Sequence, residues 1–216
     1  MLNIFKKKIV GVVEKIENKS KVFIILGRSG CGKGTQADLL MNHLRNIEGG
    51  VSKTLHIESG ALLREFAKGD NYTQLKIKKA LSEGILIPES VVAALWTNLL
   101  IANFTGTENL VFDGAPRKIH EAQLLDNALQ FYGEEKPNVL YVKVSKEWAE
   151  KRLEGRARKD DTPDAIAKRQ AWFESEVTKT INFYRSNPYY NFIEINGEQT
   201  IPEVQKEIAS KLGLNL

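Results

Sequence analysis

Cysteine is nearly missing from this 216-residue sequence, and long apolar runs are missing altogether. The only cysteine is Cys31, so no disulfide can form within the chain and a secreted, disulfide-linked scaffold is excluded. A single thiol suits a reducing compartment, and we expect a cytoplasmic protein. No apolar run approaches about 18 residues, so the sequence predicts no transmembrane helix.

A strong charge of one sign is also missing. Lys and Arg together number 31 and Asp and Glu 27, which gives a net charge of +4. This mild excess permits anionic ligands without requiring nucleic acid, and we expect no nucleic-acid partner. The length and the 42% hydrophobic content indicate one globular domain with a sizeable core. We expect that domain to be a monomer.

Residues 1–20 are predicted to form an N-terminal extension of amphipathic character. Three lysines precede a short apolar run at residues 9–13, as in a signal peptide, but the run is too short and acidic residues follow it. We interpret the segment as an arm or helix that packs on its own domain. A membrane-surface or partner-binding role and disorder are the alternatives.

Short apolar runs alternate with longer helical patterns in the rest of the chain. The runs lie at residues 22–26, 54–57, 109–112, 139–144 and 192–195, and a helix is predicted at residues 88–103. Continuous apolar runs are typical of strands that are buried on both faces of a parallel sheet. The sequence therefore predicts an α/β fold with a doubly wound, five-stranded parallel sheet, and a strandless helical insertion at residues 59–88.

The first of these runs leads into a glycine-rich loop, Gly27-Arg28-Ser29-Gly30-Cys31-Gly32-Lys33, which matches G-x-x-x-x-G-K. Its backbone N–H groups can surround a phosphate, and the following helix adds its positive N-terminus. Lys33 can reach the outer phosphates of a nucleotide. The residue after it is Gly34, so Thr35 is the candidate hydroxyl near Mg²⁺. The alternative is a glycine-rich turn that arises by chance.

Cys31 lies inside this loop. The helix N-terminus and Lys33 could lower the pKa of its thiol and make it reactive. The plainer interpretation is that a small side chain fits at this position.

Three motifs in order resemble the adenylate kinase family of nucleoside monophosphate kinases. They are Gly-Lys-Gly-Thr-Gln at 32–36, His-Ile-Glu-Ser-Gly-Ala-Leu-Leu-Arg at 56–64 and Phe-Asp-Gly-Ala-Pro-Arg at 112–117. The resemblance covers residues 21–216, which we take as the kinase domain, with a fold of the P-loop NTPase type. It implies reversible transfer of a phosphoryl group from ATP, with Mg²⁺, to AMP. It also implies that residues 59–88 are the monophosphate-binding insertion.

Asp113 follows an apolar strand and so lies at the strand's carboxyl end, where ligands bind in such sheets. A carboxylate there suits Mg²⁺, held directly or through water. The alternative is an Asp that only caps the next helix.

Several arginines cluster late in the chain: Arg152, Arg156, Arg158 and Arg169. Like charges four residues apart on a helix repel by about 0.2–0.5 kcal/mol, so a set that converges on phosphates is the sharper interpretation and a solvated face the alternative. In the resembled family these positions flank a lid over ATP. Residues 156–162 would form a very short lid here, without cysteines for zinc.

The resemblance also assigns the acceptor side, with three departures from the family pattern. Ala61 replaces a common Asp, Ala115 a common aromatic residue, and Glu121 a common base-reading Gln. Because an ionised Glu only accepts hydrogen bonds, it matches the two donors of guanine better than the edge of adenine. Glu121 turned toward solvent or toward Lys118 is the alternative.

Together, the residues and the resemblance predict three overlapping sets of site residues. Only the resemblance implies Ser59, Gly60, Leu86, Ile87 and Gly197, and an ordinary strand–helix turn is the alternative at Gly197. The catalytic set is Lys33, Arg117, Arg152, Arg158 and Arg169. The ATP-binding set is Gly27, Ser29, Gly30, Cys31, Gly32, Lys33, Gly34, Thr35, Arg152, Arg156 and Gly197, and Thr35 and Asp113 are the candidate Mg²⁺ ligands. The monophosphate-binding set is Ser59, Gly60, Arg64, Leu86, Ile87, Gly114, Arg117, Glu121, Arg158 and Arg169. Two functions compete with AMP phosphorylation: phosphorylation of GMP, CMP, UMP or a deoxynucleotide, and a weakly catalytic P-loop binding protein.

Overall fold

The computed structural model describes residues 21–47, 53–156, 158 and 161–214. The predicted N-terminal extension lies outside these residues, as do positions 157, 159 and 160 of the predicted lid. No helix in the described part of the chain is both long and apolar enough to cross a membrane.

Strands and helices alternate through the described residues. The strands are β1 (Val22–Leu26), β2 (Thr54–Glu58), β3 (Asn109–Asp113), β4 (Asn138–Lys143) and β5 (Asn191–Asn196). The α-helices are α1 (Lys33–Ile47), α2 (Ser59–Phe66), α3 (Tyr72–Ser82), α4 (Glu89–Asn103), α5 (Ile119–Phe131), α6 (Lys146–Glu154), α7 (Pro163–Trp172), α8 (Thr178–Ser186) and α9 (Ile201–Leu212). A π-helical turn, Phe173–Val177, joins α7 to α8.

The five strands form one parallel sheet in the order β2-β3-β1-β4-β5. Every run predicted as a strand is a strand, with its ends shifted by at most one residue. The α/β prediction with a doubly wound parallel sheet is confirmed.

Both faces of the sheet are covered, which explains the continuous apolar run of β1. Its side chains alternate between two clusters: Ile24 and Leu26 pack with α4, α5 and α8, whereas Phe23 and Ile25 pack with α1, α6 and α9. Complete burial of such a side chain contributes roughly 1.5–3 kcal/mol. The central strand therefore anchors the loop that follows it.

Local signals fix the starts of the helices near that loop. The Thr162 hydroxyl accepts from the Ala165 N–H at 3.3 Å, and Pro163 occupies the first turn of α7. Pro88 directly precedes α4, which begins at Glu89, one residue later than predicted. The predicted insertion, residues 59–88, contains α2 and α3 and no strand.

Candidate active site

A cleft of about 560 Å³ opens at the carboxyl ends of the strands. Side chains and backbone from the loop after β1, the ends of β2 and β3, α6 and α7 line it together. Most of the predicted site residues meet here: Gly27, Ser29, Gly30, Gly32, Lys33, Gly34, Thr35, Gly60, Arg64, Asp113, Gly114, Arg117, Arg152, Arg156, Arg158 and Arg169.

The loop after β1 has the backbone that only glycine adopts easily. Gly30 and Gly32 have φ values of 91° and 96°. A side chain at Gly27 would also lie 2.5 Å from the Val142 carbonyl oxygen, so the loop can pass β4 only without one. The Lys33 ammonium donates at 2.9 Å to the carbonyl oxygens of both Gly27 and Arg28. The cation is thus held within the loop, and its reach to the phosphates of a nucleotide stays a prediction.

Cys31 belongs to this loop, but its side chain is buried and does not line the cleft. Burial raises the pKa of its thiol, and this outweighs the nearby Lys33 ammonium, 3.8 Å from Sγ, which acts in the opposite direction. The structure therefore favours a small packing side chain over a reactive thiolate.

Asp113 ends β3 beside Ile25 of β1 and Glu58 of β2. Burial raises the pKa of its carboxyl; Lys33 lowers that pKa, whereas Glu58 raises it. A side chain on Gly34 would lie 3.4 Å from Asp113 Oδ2, which shows how closely the start of α1 approaches this carboxylate.

The arginines of α6 and α7 are held in place by neighbours. The Arg152 guanidinium lies 4.7 Å over the Trp148 ring. Arg156 makes a two-pronged contact with Asp161 at 2.7 and 2.9 Å, and Arg169 reaches the same carboxylate at 2.8 Å. Burial alone would raise the pKa of Asp161, but these two guanidinium groups bring it below its ordinary value. Asp161 therefore joins the two ends of the predicted lid.

Arg117 and Arg64, which are predicted to bind the acceptor phosphate, both line the cleft. Arg117 Nε donates to the Gly114 carbonyl oxygen at 2.7 Å, and the Trp172 ring lies 5.3 Å from its guanidinium carbon. Burial lowers the pKa of Arg117, while Glu121 and Asp113 oppose that effect. Arg64 pairs with Glu58 at 2.8 Å.

Glu121 points inward, with only 2% of its surface exposed. Its Oε2 accepts the Arg117 backbone N–H at 2.8 Å, whereas Oε1 is buried without a hydrogen-bond partner. The alternative of an outward Glu121 is wrong, and the Lys118 ammonium pairs instead with Glu89 at 2.8 Å. Burial raises the pKa of Glu121. A small cavity next to the cleft brings this carboxylate together with Ser59, Leu86, Ile87 and Arg117.

Gly197 lies apart from both cavities. Its N–H donates to the Lys143 carbonyl oxygen at 2.8 Å, and a side chain here would lie 2.6 Å from Val144 Cγ1. Its predicted contact with ATP stays a prediction.

Comparison with known proteins decides the family. The family model described as adenylate kinase matches residues 25–189. The chain belongs to the adenylate kinase family.

Three curated relatives show the extent of this similarity. The chain is 31% identical to adenylate kinase 1 of Nostoc sp. over 190 residues, covering 88% of this chain and 97% of the relative. It is 28% identical to the adenylate kinase of Oenococcus oeni over 196 residues, covering 88% and 99% of the two chains. It is 31% identical to the adenylate kinase of Helicobacter pylori over 191 residues, covering 87% and 94%. The resemblance read from the three motifs is confirmed, and the protein is an ATP-dependent nucleoside monophosphate kinase.

Adenylate kinases use Mg²⁺ with ATP, and the residues of this cleft suit that ion. Mg²⁺ takes oxygen ligands, one or two of them from protein carboxylates and the rest from phosphates and water. The Asp113 carboxylate and the Thr35 hydroxyl supply such oxygens at one end of the cleft. Among the described residues, no group of three or more His, Cys, Asp or Glu side chains could form a complete protein cage for a metal.

Four residues of this adenylate kinase site were not predicted from the sequence. Glu58 becomes important because the parallel register places it beside Asp113, and Trp172 because it stacks on Arg117. Arg28 and Gln170 make contacts over 140 residues apart along the chain. Glu58 and Arg28 lie inside recognised motifs and so carried a local signal, whereas Gln170 and Trp172 carried none.

Proposed function

We propose that the protein transfers the γ-phosphoryl group of ATP reversibly to AMP, producing two molecules of ADP. The observation that carries this proposal is the convergence of Lys33, Asp113 and six arginines on one cleft. Phosphoryl transfer asks a protein mainly to position two phosphates and to balance the charge that spreads during transfer, and this set supplies both.

The donor nucleotide would occupy the β1 side of the cleft. Backbone N–H groups of residues 29–35 would hold its β-phosphate, and Lys33 would follow the transferred group. Arg152, already stacked on Trp148, and Arg156 would bind the donor from α6 and the lid. Mg²⁺, when bound near Asp113 and Thr35, would offset charge on the outer phosphates of ATP.

The acceptor would occupy the opposite side, with its phosphate on Arg64 and Arg117. Glu58 holds Arg64 by an ion pair that the monophosphate would have to share or replace. Arg158 and Arg169 also face the cleft and would approach the transferred group from the lid side. Holding both phosphates in line removes much of the entropic barrier. No covalent enzyme intermediate is required.

The base of the acceptor would lie in the part of the cleft that adjoins Glu121, Leu86 and Ile87; the cavity between these residues is only about 10 Å³, so they would have to separate to admit a base. We propose AMP as the preferred acceptor with relaxed discrimination. One observation favours a second acceptor: the buried Glu121 Oε1 has no partner, and ionised it matches the paired donors of guanine.

We also propose that the protein acts as a cytoplasmic monomer. The free thiol of Cys31 suits a reducing compartment.

The direct test is a panel of nucleoside monophosphates incubated with ATP and Mg²⁺, with each diphosphate measured at steady state. We expect AMP to give the highest kcat/KM. In Lys33→Met, kcat should fall about a hundredfold because one strong electrostatic stabiliser is lost. Lys143→Met is the matched control, because Lys143 is an exposed lysine at a strand end that pairs with Glu194.

Two results would contradict the proposal. Binding of ATP with negligible diphosphate formation from every acceptor would indicate a weakly catalytic P-loop protein. A strong preference for GMP, CMP, UMP or a deoxynucleotide would overturn AMP as the acceptor and leave the kinase activity in place.

A further inference from the structure

Arg28 is a loop residue whose side chain turns away from the cleft. Its guanidinium carbon lies 4.2 Å from the centre of the Phe173 ring, and one nitrogen forms an ion pair with Glu174. Nε approaches the Val144 carbonyl oxygen at 3.4 Å, and the second terminal nitrogen approaches Gln170 Oε1 at the same distance. The side chain is only 12% exposed. These contacts commit the guanidinium to the protein, so Arg28 is not a phosphate ligand.

Gln170 of α7 also donates a hydrogen bond back to the phosphate loop. Its side-chain amide donates to the Ser29 carbonyl oxygen at 3.3 Å, and it is almost completely buried. The residue before it, Arg169, faces the cleft. Adjacent residues of α7 therefore hold the phosphate loop and present a cation to the phosphates.

The partners of Arg28 lie where the helix changes its geometry. The π-helical turn begins at Phe173, and Phe173 and Glu174 are its first two residues. π-Helical turns are rare, occur mostly inside α-helices and are frequently found at functional sites. Here the turn presents a ring and a carboxylate to the same guanidinium.

The phosphate loop needs such an anchor because three of its residues are glycines. Gly27, Gly30 and Gly32 give it a backbone of unusual conformational freedom. A displacement of about 1 Å between reacting groups can cost about a hundredfold in rate. An anchor that joins the loop directly to α7 would keep the donor phosphates and Arg169 at a constant separation.

We propose that Arg28 is a positioning residue, which acts through Glu174, Phe173 and Gln170 to hold the phosphate loop in register with Arg169. This inference rests on the proposed use of the loop and Arg169 in phosphoryl transfer from ATP. Arg28 does not touch the nucleotide in this arrangement; it sets where the loop's N–H groups lie.

The test compares Arg28→Ala with Arg185→Ala in the full-length protein. Arg185 makes the same kinds of contact. It pairs with Glu194 at 3.0 Å, lies 5.0 Å over the Phe192 ring and does not line the cleft, although its side chain is more exposed, at 46% against 12% for Arg28. We expect Arg28→Ala to lower kcat/KM for ATP by about tenfold to a hundredfold while KM for AMP changes by less than about twofold. Arg185→Ala should leave both constants near those of the wild type.

A second pair of variants guards against loss of folding. Arg28→Lys keeps a cation for Glu174 but loses the planar fork, and Glu174→Gln keeps the shape but loses the charge. In both variants kcat/KM for ATP should fall, but by less than in Arg28→Ala, and KM for AMP should again change little. Circular dichroism and the unfolding midpoint establish that each variant is folded.

Calorimetric titration with ATP alone separates this inference from the proposed function. Weaker ATP binding in Arg28→Ala than in Arg185→Ala supports the positioning role even if no phosphoryl transfer is found. The inference is overturned if Arg28→Ala has the same ATP affinity and kcat as the wild type. It is also overturned if ATP affinity and kcat fall equally in Arg28→Ala and Arg185→Ala.

Discussion

Glu121 stands where the resemblance to adenylate kinases predicts a base-reading glutamine. It is buried between Arg117 and the apolar side chains of the small cavity, and one carboxylate oxygen has no partner. Burial raises the pKa of the carboxyl, so protonation begins at a higher pH than for an exposed glutamate. A protonated carboxyl has one donor and one acceptor, as a glutamine amide has, and matches adenine. An ionised carboxyl only accepts and matches guanine.

Glu121→Gln should therefore raise the ratio of kcat/KM for AMP to that for GMP. We expect a change worth about 1–3 kcal/mol, the order of one unpaired buried polar group. In the wild type the same ratio should rise as the pH falls through the raised pKa of Glu121, because a larger fraction of this carboxyl is then protonated. In Glu121→Gln this ratio should not show that rise, because the side chain at position 121 no longer ionises.

The control for this selectivity is Glu108→Gln. Glu108 is also a buried carboxylate, but it binds Thr105 in a loop outside both cavities. A ratio that does not move in Glu121→Gln, or that moves equally in Glu108→Gln, would show that Glu121 does not read the base.

Among the secondary-structure elements, the starts of α4 and α5 are joined by one acidic side chain. Glu89, the first residue of α4, accepts from the Lys118 ammonium at 2.8 Å and lies 3.5 Å from His120 Nδ1. The hydrogen bond from Lys118 is the main reason that the pKa of Glu89 falls to about 2. Since Lys118 directly precedes α5, this pair ties α4 to the helix that carries Glu121.

The stability of the wild type should therefore fall in acid through the titration of Glu89. A carboxyl with a lowered folded pKa stabilises the protein above its unfolded pKa of about 4.3, and this contribution is lost as the pH falls toward about 2. Glu89→Gln should lose up to about 1 kcal/mol near neutral pH, since the pair is partly exposed, and its stability should fall less steeply across that range.

Urea unfolding at pH values between 2 and 7 measures this difference. Glu65→Gln serves as the control, because Glu65 pairs with Lys68 at the carboxyl end of α2, where both side chains are 72% exposed. Parallel pH curves for the wild type and Glu89→Gln would contradict the role given to this ion pair.

The strands were predictable because a strand buried on both faces of the sheet has a continuous apolar run in the sequence. Runs such as Val22–Leu26 cannot alternate with polar residues when both faces pack against helices. The strand ends were off by one residue at Glu58 and Asp113, because polar residues can continue the backbone pairing beyond the apolar run. The motifs likewise predicted which residues would meet in the cleft.

The contacts that individual side chains make could not be predicted in the same way. The ion pair of Arg28 with Glu174 spans 146 residues and depends on how α7 packs across the loop. The π-helical turn has no local signal, because its apolar residues Phe173 and Val177 are also four apart, as in an α-helix. The inward turn of Glu121 depends on the free N–H groups at the start of α5, which the sequence pattern alone does not orient.

At the scale of the whole molecule, the single sheet brings the proposed donor and acceptor sides together at the carboxyl ends of its strands. β1 delivers the phosphate loop, β3 delivers Asp113 and the acceptor arginine Arg117 follows it, while α6 and α7 bring their arginines over the same cleft. This arrangement is consistent with direct transfer between two bound nucleotides. In the proposed reaction the phosphoryl group passes to the second nucleotide and not to water.

The most direct test of that account follows the γ-phosphorus of ATP. With ATP labelled at that position, AMP and Mg²⁺, the account predicts that the label appears as the β-phosphate of ADP, with two ADP formed for each ATP consumed. Release of the label as inorganic phosphate, or ATP that stays labelled and unconsumed in the presence of AMP, would contradict direct transfer in this cleft.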